Sequence, residues 1–438
     1  MILDINISKN TNKVKNYVLI NILFAVIYSW FYDFIFYNYI VSLFFEPYQK
    51  MTLDIKISYY FLSVFPIVFY KGLNNIAGVF SIFVYIFAYI PFVESLSVGG
   101  YGAEFNDYRF VFFAGMCMFF LTDDFVIGKS LFNKKPLMSY DNFLKISLFA
   151  LLFVVLLNLR NLHFTNFFSA DNDLYDLRAN LKVVGGTPVL YLLFWLKNVI
   201  IPIVLICSLI DGNKTYSIIS FVGFFLLFMI DQQKVTIIAP FVIMLLYFTY
   251  KNKPIFFGNY YHILLLTALI IFPFLCYSFH DVSELAYTIA AILIMRTQCI
   301  EGMELNTYFN WFGHSGTHPY TYYSHINIIN AITGSYPYDK AIGYVVTDNH
   351  GNANGMFWLM DGIAAGGLFG CIFISFVYVL VKSYFNGLAT KCDKRIFAII
   401  STFAMASAMN VSLFTSLFSC GLILLLLIFI YVDLPQLK

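Results

Sequence analysis

The sequence predicts an all-α, polytopic membrane protein of about twelve transmembrane helices, and three observations lead there. Hydrophobic residues make up 60% of the 438 and charged residues only 11%, whereas a soluble domain carries about 25% charged residues. Apolar runs long enough to cross a bilayer core as helix recur along the whole chain. No alternating pattern interrupts them, and a helix is the element that satisfies its own backbone polar groups inside hydrocarbon. The chain reads as one integral membrane domain, 1–438, carrying two larger polar loops at 160–188 and 281–355.

Spans are expected at 17–31, 55–70, 76–93, 110–121, 146–159, 189–210, 217–230, 235–250, 261–279, 356–381, 396–409 and 413–432. The first run, from Tyr17, continues into bulky aromatics and is not followed by a small-residue cleavage site, so it reads as an uncleaved span. The stretch 32–48 is too interrupted for a span of its own and either lies at the interface or prolongs the first helix. The aliphatic run 285–295 is too short to cross and reads as interfacial or re-entrant. With both termini inside, 16 of the 26 Lys and Arg face the cytoplasm and nine face outward, Lys197 being intramembrane. That bias orients the chain as a multi-pass protein with both termini cytoplasmic and both polar loops on the far side.

Charge and motifs exclude several classes. A net charge of +2 gives no footprint for a nucleic-acid partner. No Walker A, GxSxG, HExxH or dinucleotide-binding glycine pattern is present, which argues against ATP-driven transport and ordinary hydrolase chemistry. The seven cysteines hold no CxxC, and only Cys299 falls in an outward loop, so they read as apolar thiols. Asp171-Asn172-Asp173 spells the DxD string of metal-dependent glycosyltransferases, but a string so short reads first as a solvated acidic turn.

The arginines run against the lysine bias. Four of the five, Arg109, Arg160, Arg178 and Arg296, face outward. A guanidinium is a rigid bidentate donor suited to phosphate, so the pattern fits an anionic ligand at that face, beside the simpler reading of side chains snorkelling at span ends. Lys197, inside the sixth span, is an intramembrane charge and by default a functional-site candidate; it could snorkel, pair with Asp361 or hold a lipid phosphate.

The chain is organised around residues 296–370, the one long polar interruption, which holds four of the seven histidines. Trp311, His314, His318, Tyr320, Tyr322, Tyr323 and His325 crowd its first half. Flat rings stack on the apolar faces of sugars and Asn, His and Tyr bond their hydroxyls, although aromatics also populate membrane interfaces. A zinc pair at His314 and His318 is disfavoured, because Gly316 and Pro319 break the helix it would need. His350, close to Asp348, is the candidate base: an imidazole titrates near neutrality and a carboxylate orients it. Gly362, Gly366 and Gly370 fall four residues apart and are expected to line one face of the tenth helix for close packing.

Together, the many spans, the intermediate and longer outward loops, and the stretch NANGMFWLMDGIAAGGLFG at 352–370 resemble the bacterial oligosaccharide repeat-unit polymerases, the Wzy or O-antigen polymerase family. Some members carry an Arg-x10-Gly pattern in the two loops; here Val189 and Thr307 stand at those glycine positions. The resemblance implies a GT-C-like fold in the bacterial inner membrane and a metal-independent, cofactor-free glycosyltransferase. It implies undecaprenyl-pyrophosphate-linked oligosaccharides as substrates, membrane lipid as surroundings and a chain-length regulator protein as a candidate partner. On that reading Arg178 and Arg296, with Arg160 and Lys197, hold pyrophosphate, and His350 with Asp348 activates the acceptor. Trp311, His314, Tyr320, Tyr323 and Asn352 would contact sugar. The alternatives are an O-antigen ligase and a lipid-linked oligosaccharide flippase.

Overall fold

The computed structural model describes residues 2–35, 50–73, 75–99, 105–132, 134–163, 183–252, 265–279, 282–295, 299–313, 318–348, 352–388, 408–409 and 411–435. Within them the chain is nearly all helical. In chain order the main helices are α1 (Ile2–Ile35), α2 (Leu53–Val64), α3 (Ile76–Val98), α4 (Asn106–Leu121), α5 (Tyr140–Leu157), α6 (Gly186–Asp211), α7 (Lys214–Asp231), α8 (Lys234–Asn252), α9 (Thr267–Ser278), α10 (Glu284–Ile294), α11 (Ile300–Phe312), α12 (Asn327–Thr333), α13 (Trp358–Leu388) and α14 (Leu422–Tyr431). Seven stretches among the described residues are long and apolar enough to cross a membrane, and Val235–Leu245 and Thr267–Ser278 are shorter apolar helices. That is the make-up of an α-helical polytopic membrane protein. The expected span at 396–409 lies almost wholly outside the described residues.

The chain folds into two compact units. One comprises Met1–Phe125, Ile255–Ser383 and Ala404–Leu413; the other comprises Val126–Pro254, Tyr384–Phe403 and Phe414–Lys438.

In the second unit, short turns set α6, α7 and α8 side by side. Gly212 ends α6 with φ +71, a conformation that favours glycine, and Asn213 then caps α7 through its side chain, accepting from the Tyr216 N–H at 3.3 Å. Ser139 caps α5 in the same way. Met138–Ser139 and Val432–Asp433 form a two-residue parallel pair, β1 and β2. Lys197 lies in a π-helical stretch of α6, and its Nζ donates to Asp231 at 2.6 Å and Gln233 at 2.7 Å. The expected partner Asp361 is therefore not its partner. Asp231 closes α7 and also accepts from Thr236, so a buried lysine finds its counter-charge at the nearest helix end.

The first unit is built around α3, buried from Ile76 to Val98 except at Phe83, which is partly exposed. Buried tyrosines tie its neighbours to it: Tyr28 of α1 donates to Ile86 O, while Tyr85 and Tyr89 donate to the Ser63 and Leu62 carbonyls of α2. Helix α4 runs antiparallel to α3, which defines two ends of the unit. At one end Asn75 meets Asp123 and Asp124; at the other, Arg109 Nη2 donates to Leu96 O, capping the last turn of α3. Arg109 is thus spent on the fold. Lys382, one residue past the span expected at 356–381, is fully buried at the Asp123 end, where its ammonium donates to Asp123 Oδ1 at 2.7 Å, to Ser81 Oγ at 3.2 Å and to Phe119 O.

Helix α13 departs most from expectation. It is not one straight span. Gly366 and Gly367 leave the helical conformation and the chain reverses there. The rising arm, 356–365, lies antiparallel against the long arm, 368–388: Phe357 stacks on Tyr378 at 4.4 Å, Trp358 Nε1 donates to Ser375 Oγ at 2.8 Å, and a Cβ on Gly362 would sit 2.8 Å from Cys371 Sγ. The three glycines therefore do not share a helix face. Gly362 and Gly370 let the two arms touch, and Gly367 makes the turn. Gly367 has φ +59 and ψ −136, a region reserved for glycine, and a Cβ there would meet Tyr320 Oη at 2.7 Å. Gly367→Ala should therefore cost about 1–3 kcal/mol, read as a lower melting temperature in detergent. Gly366→Ala, which meets nothing within 4 Å, should be tolerated.

Helix α11 also reaches into the unit. Gly302 sits against Pro91 O and Ser95 Oγ of α3, while Phe309, two turns on, packs at 4.4 Å on Phe105. Helix α10, the run expected to be interfacial or re-entrant, packs on α9.

Candidate functional site

The loop 318–326 settles on the tip of the α13 hairpin because the rising arm ends with open carbonyls. The last C=O groups of a helix have no partner within it. Here the Thr321 N–H donates to Ala364 O at 2.8 Å and the Tyr322 N–H to Ala365 O at 3.0 Å. Tyr320 stacks on Phe312 of α11, which fixes the start of the loop. A tight turn follows, in which the Ser324 N–H donates to Thr321 O. It brings His325 back over Asp361, one turn down the arm.

Three side chains then line up. His325 Nε2 lies 3.1 Å from Asp361 Oδ1, and His325 Nδ1 lies 2.8 Å from Thr321 Oγ1. Asp361 Oδ2 accepts from the Leu413 N–H. The Asp361 side chain is fully buried and that of His325 is 5% exposed. With Asp361 ionised, Nε2 carries the ring proton toward it, and the lone pair on Nδ1 accepts from the threonine hydroxyl. A hydroxyl, an imidazole and a carboxylate in series make a base whose ring orientation and tautomer are fixed by the carboxylate. Asp361 itself lies in a π-helical stretch, Trp358–Ile363, a distortion that recurs at functional sites.

Buried carboxyls line α11 beneath this site. Glu301 is 3% exposed and Glu304 8%. Burial, and then the charge of Glu304, hold Glu301 well above the ordinary carboxyl range. A raised folded-state pKa costs stability as pH climbs past the unfolded value of about 4.3, because folding must then take up a proton. Below that value both states are protonated and nothing is lost. Glu301→Gln should flatten the decline in melting temperature between about pH 5 and 8; an unchanged slope would show the residue is ionised in the fold.

The other expected site residues distribute as follows. His350, Arg178, Arg296 and His314 lie outside the described residues, as does the Asp171–Asp173 string. Asp348 is exposed, with φ +49. Arg160 is exposed in a one-turn segment of the second unit, where Lys197 is already paired. Trp311 has one face covered by His318 at 3.9 Å and meets Tyr338 edge-on. Asn352 packs against Gly343, and Ala353 N–H donates to Gly343 O. Tyr320 and Tyr323 do join the site, Tyr323 with its ring 6.2 Å from that of His325. Among the described residues no group of three or more His, Cys, Asp or Glu is placed to hold a metal.

The His325–Asp361 pair was missed from sequence. Its signal was Asp361 itself, an acidic residue in an apolar stretch and so a site candidate by default; its partner lies 36 residues away.

No match to a known protein adds to this geometry. No family model, no curated protein and no solved structure is similar to the chain.

Proposed function

We propose that this protein is a membrane glycosyltransferase that joins lipid-pyrophosphate-linked oligosaccharide repeat units, and that His325, oriented by Asp361, is its base. The observation that carries the reading is the buried Thr321–His325–Asp361 series at the tip of a folded-back helix, bordered by Tyr320 and Tyr323. The reading includes about twelve spans, a GT-C-like arrangement and a bacterial inner membrane with both termini cytoplasmic, so that the tip faces outward. The run of apolar helices and the lysine bias support that orientation.

In the reaction the acceptor hydroxyl oxygen attacks the anomeric carbon of the donor. The bond from that carbon to the pyrophosphate oxygen breaks, and the lipid pyrophosphate leaves with the electron pair. Thr321 is 1% exposed, so the acceptor reaches its Oγ1 only when the side chains over it move aside; the acceptor proton then passes to Thr321 Oγ1 as the threonine proton passes to His325 Nδ1, leaving an imidazolium stabilised by Asp361. Charge builds on the leaving pyrophosphate, where outward guanidinium groups act best; Arg178 and Arg296 are proposed for that role. Lys197 is a weaker candidate because Asp231 already neutralises it. His350 with Asp348 remains the alternative base.

A deletion strain tests the reading. Loss of a polymerase leaves lipopolysaccharide capped with a single repeat unit, and plasmid-borne wild type restores long chains. Uncapped core would indicate a ligase, and unchanged chains would sink both.

A further inference from the structure

Two adjacent residues beside the dyad hold an unusual backbone. Tyr322 and Tyr323 have φ +45 and +67, a region that L side chains rarely occupy and that costs energy unless the surroundings impose it. Such strain gathers at ligand clamps. Here the Tyr323 ring that follows this backbone touches both His325 and the long arm of α13. One neighbour of that ring is His325, at 6.2 Å; another is Phe373, met edge-on at 5.6 Å.

Phe373 belongs to a stripe on the long arm of α13. Phe369, Phe373, Phe376 and Leu380 recur at helical spacing and are 80%, 53%, 58% and 52% exposed, while Cys371, Ile374, Ser375 and Tyr378 on the other side are buried. The stripe starts at the hairpin tip and runs down the helix. Thr321 and Ser324 are almost fully covered, and Asp361 is closed off by Leu413. From His325, the described contacts lead to an exposed surface through Tyr323 and Phe373.

We infer that Tyr323 is a lateral gate to the dyad and that the Phe369–Phe373–Phe376–Leu380 face seats the hydrocarbon tail of the lipid-linked donor, which holds the donor's head at the tip. This rests on the proposed glycosyl transfer. A polyprenyl tail is an apolar chain with no hydrogen-bonding groups, so a row of exposed rings continuous with the reaction site is the surface its chemistry fits. The tail runs down the stripe while its pyrophosphate stays at the level of Tyr322.

The test uses the full-length protein in proteoliposomes with undecaprenyl and geranyl versions of one pyrophosphate-linked oligosaccharide. Leu380→Asn, about 16 Å along the helix from Phe369 and beyond the reach of a geranyl chain, should raise KM for the undecaprenyl donor about tenfold while KM for the geranyl donor and kcat for both stay within about twofold. An unchanged KM for the long donor overturns the seat. A photoreactive phenylalanine at position 373 gives a readout independent of turnover. It should crosslink radiolabelled undecaprenyl donor well above the level seen from position 149, where Phe149 is also a lipid-exposed ring (72%) on another helix. Equal labelling at the two positions, or capture of bulk phospholipid alone, overturns the proposal. If the wild type transfers no sugar while position 373 still captures the donor, the glycosyl-transfer reading fails and the lipid seat stands.

Discussion

Replacing His325 with alanine is expected to lower the rate of glycosyl transfer by about 10²–10⁴, the range that a positioned general base contributes. The loss should fall on kcat, because the imidazole acts on a proton that moves only in the transition state and does not hold the substrate. Asp361→Asn tests the orienting role separately. The amide keeps the shape of the side chain and its bond to the Leu413 N–H, but it no longer favours the ring tautomer with the proton on Nε2. A loss comparable to that of the histidine variant is expected, with melting temperature nearly unchanged. Thr321→Val puts a methyl of the same size against Nδ1 in place of the relay hydroxyl, so no other proton donor reaches the ring and a loss comparable to that of the histidine variant is expected, whereas Thr321→Ser keeps the hydroxyl and should retain most of the rate. His350→Ala is the paired control. If it abolishes transfer while His325→Ala does not, the base is His350 and the dyad is a structural fastening of the loop.

The largest expected effect on stability is at the other end of the same unit. Lys382→Met should destabilise the protein by about 3–5 kcal/mol, because it leaves the Asp123 carboxylate buried without its counter-charge. The pair is closed from every side. Lys382 is fully buried and Asp123 1% exposed; Asp123 Oδ1 also accepts from Ser81 Oγ at 2.7 Å, and the ammonium also donates to Phe119 O. These contacts join α3, α4 and the long arm of α13, so the loss should appear as a lower melting temperature in detergent and as poor membrane yield. The double variant Asp123→Leu, Lys382→Met should recover much of the loss, because two apolar residues of similar volume are often as stable as the ion pair they replace. A double variant no better than the single one would mean the pair contributes through its hydrogen bonds to Ser81 and Phe119.

How far the sequence carried depends on the range of the interaction behind each feature. The helices are local: apolar runs such as 76–93 and 189–210 announce Ile76–Val98 and Gly186–Asp211 within a few residues, because length and hydrophobicity alone mark a helix able to cross a bilayer, whatever it packs against. The reversal at Gly366–Gly367 is local too, yet the spacing of its glycines predicts continuous helix. Three glycines four residues apart fit a packing stripe, and spacing alone does not show that Gly367 adopts φ +59 and that Gly362 faces Gly370 across a turn. From sequence Lys197 is an intramembrane charge that could snorkel, pair with Asp361 or hold a lipid phosphate; its partner is Asp231, which the α6–α7 hairpin brings to it. The dyad was the hardest to see. His325 stood in a crowd of aromatic and histidine residues, and only the open carbonyls of Ala364 and Ala365 explain why its loop settles over Asp361.

The most direct measurement is transfer by the purified protein. Wild type in proteoliposomes, supplied with one undecaprenyl-pyrophosphate-linked repeat unit and no other enzyme, should yield a ladder of lengthening glycans, and His325→Ala with the same melting temperature should yield none. A wild type that binds the lipid-linked unit and never lengthens it, or a His325→Ala protein that builds the same ladder, would contradict the account.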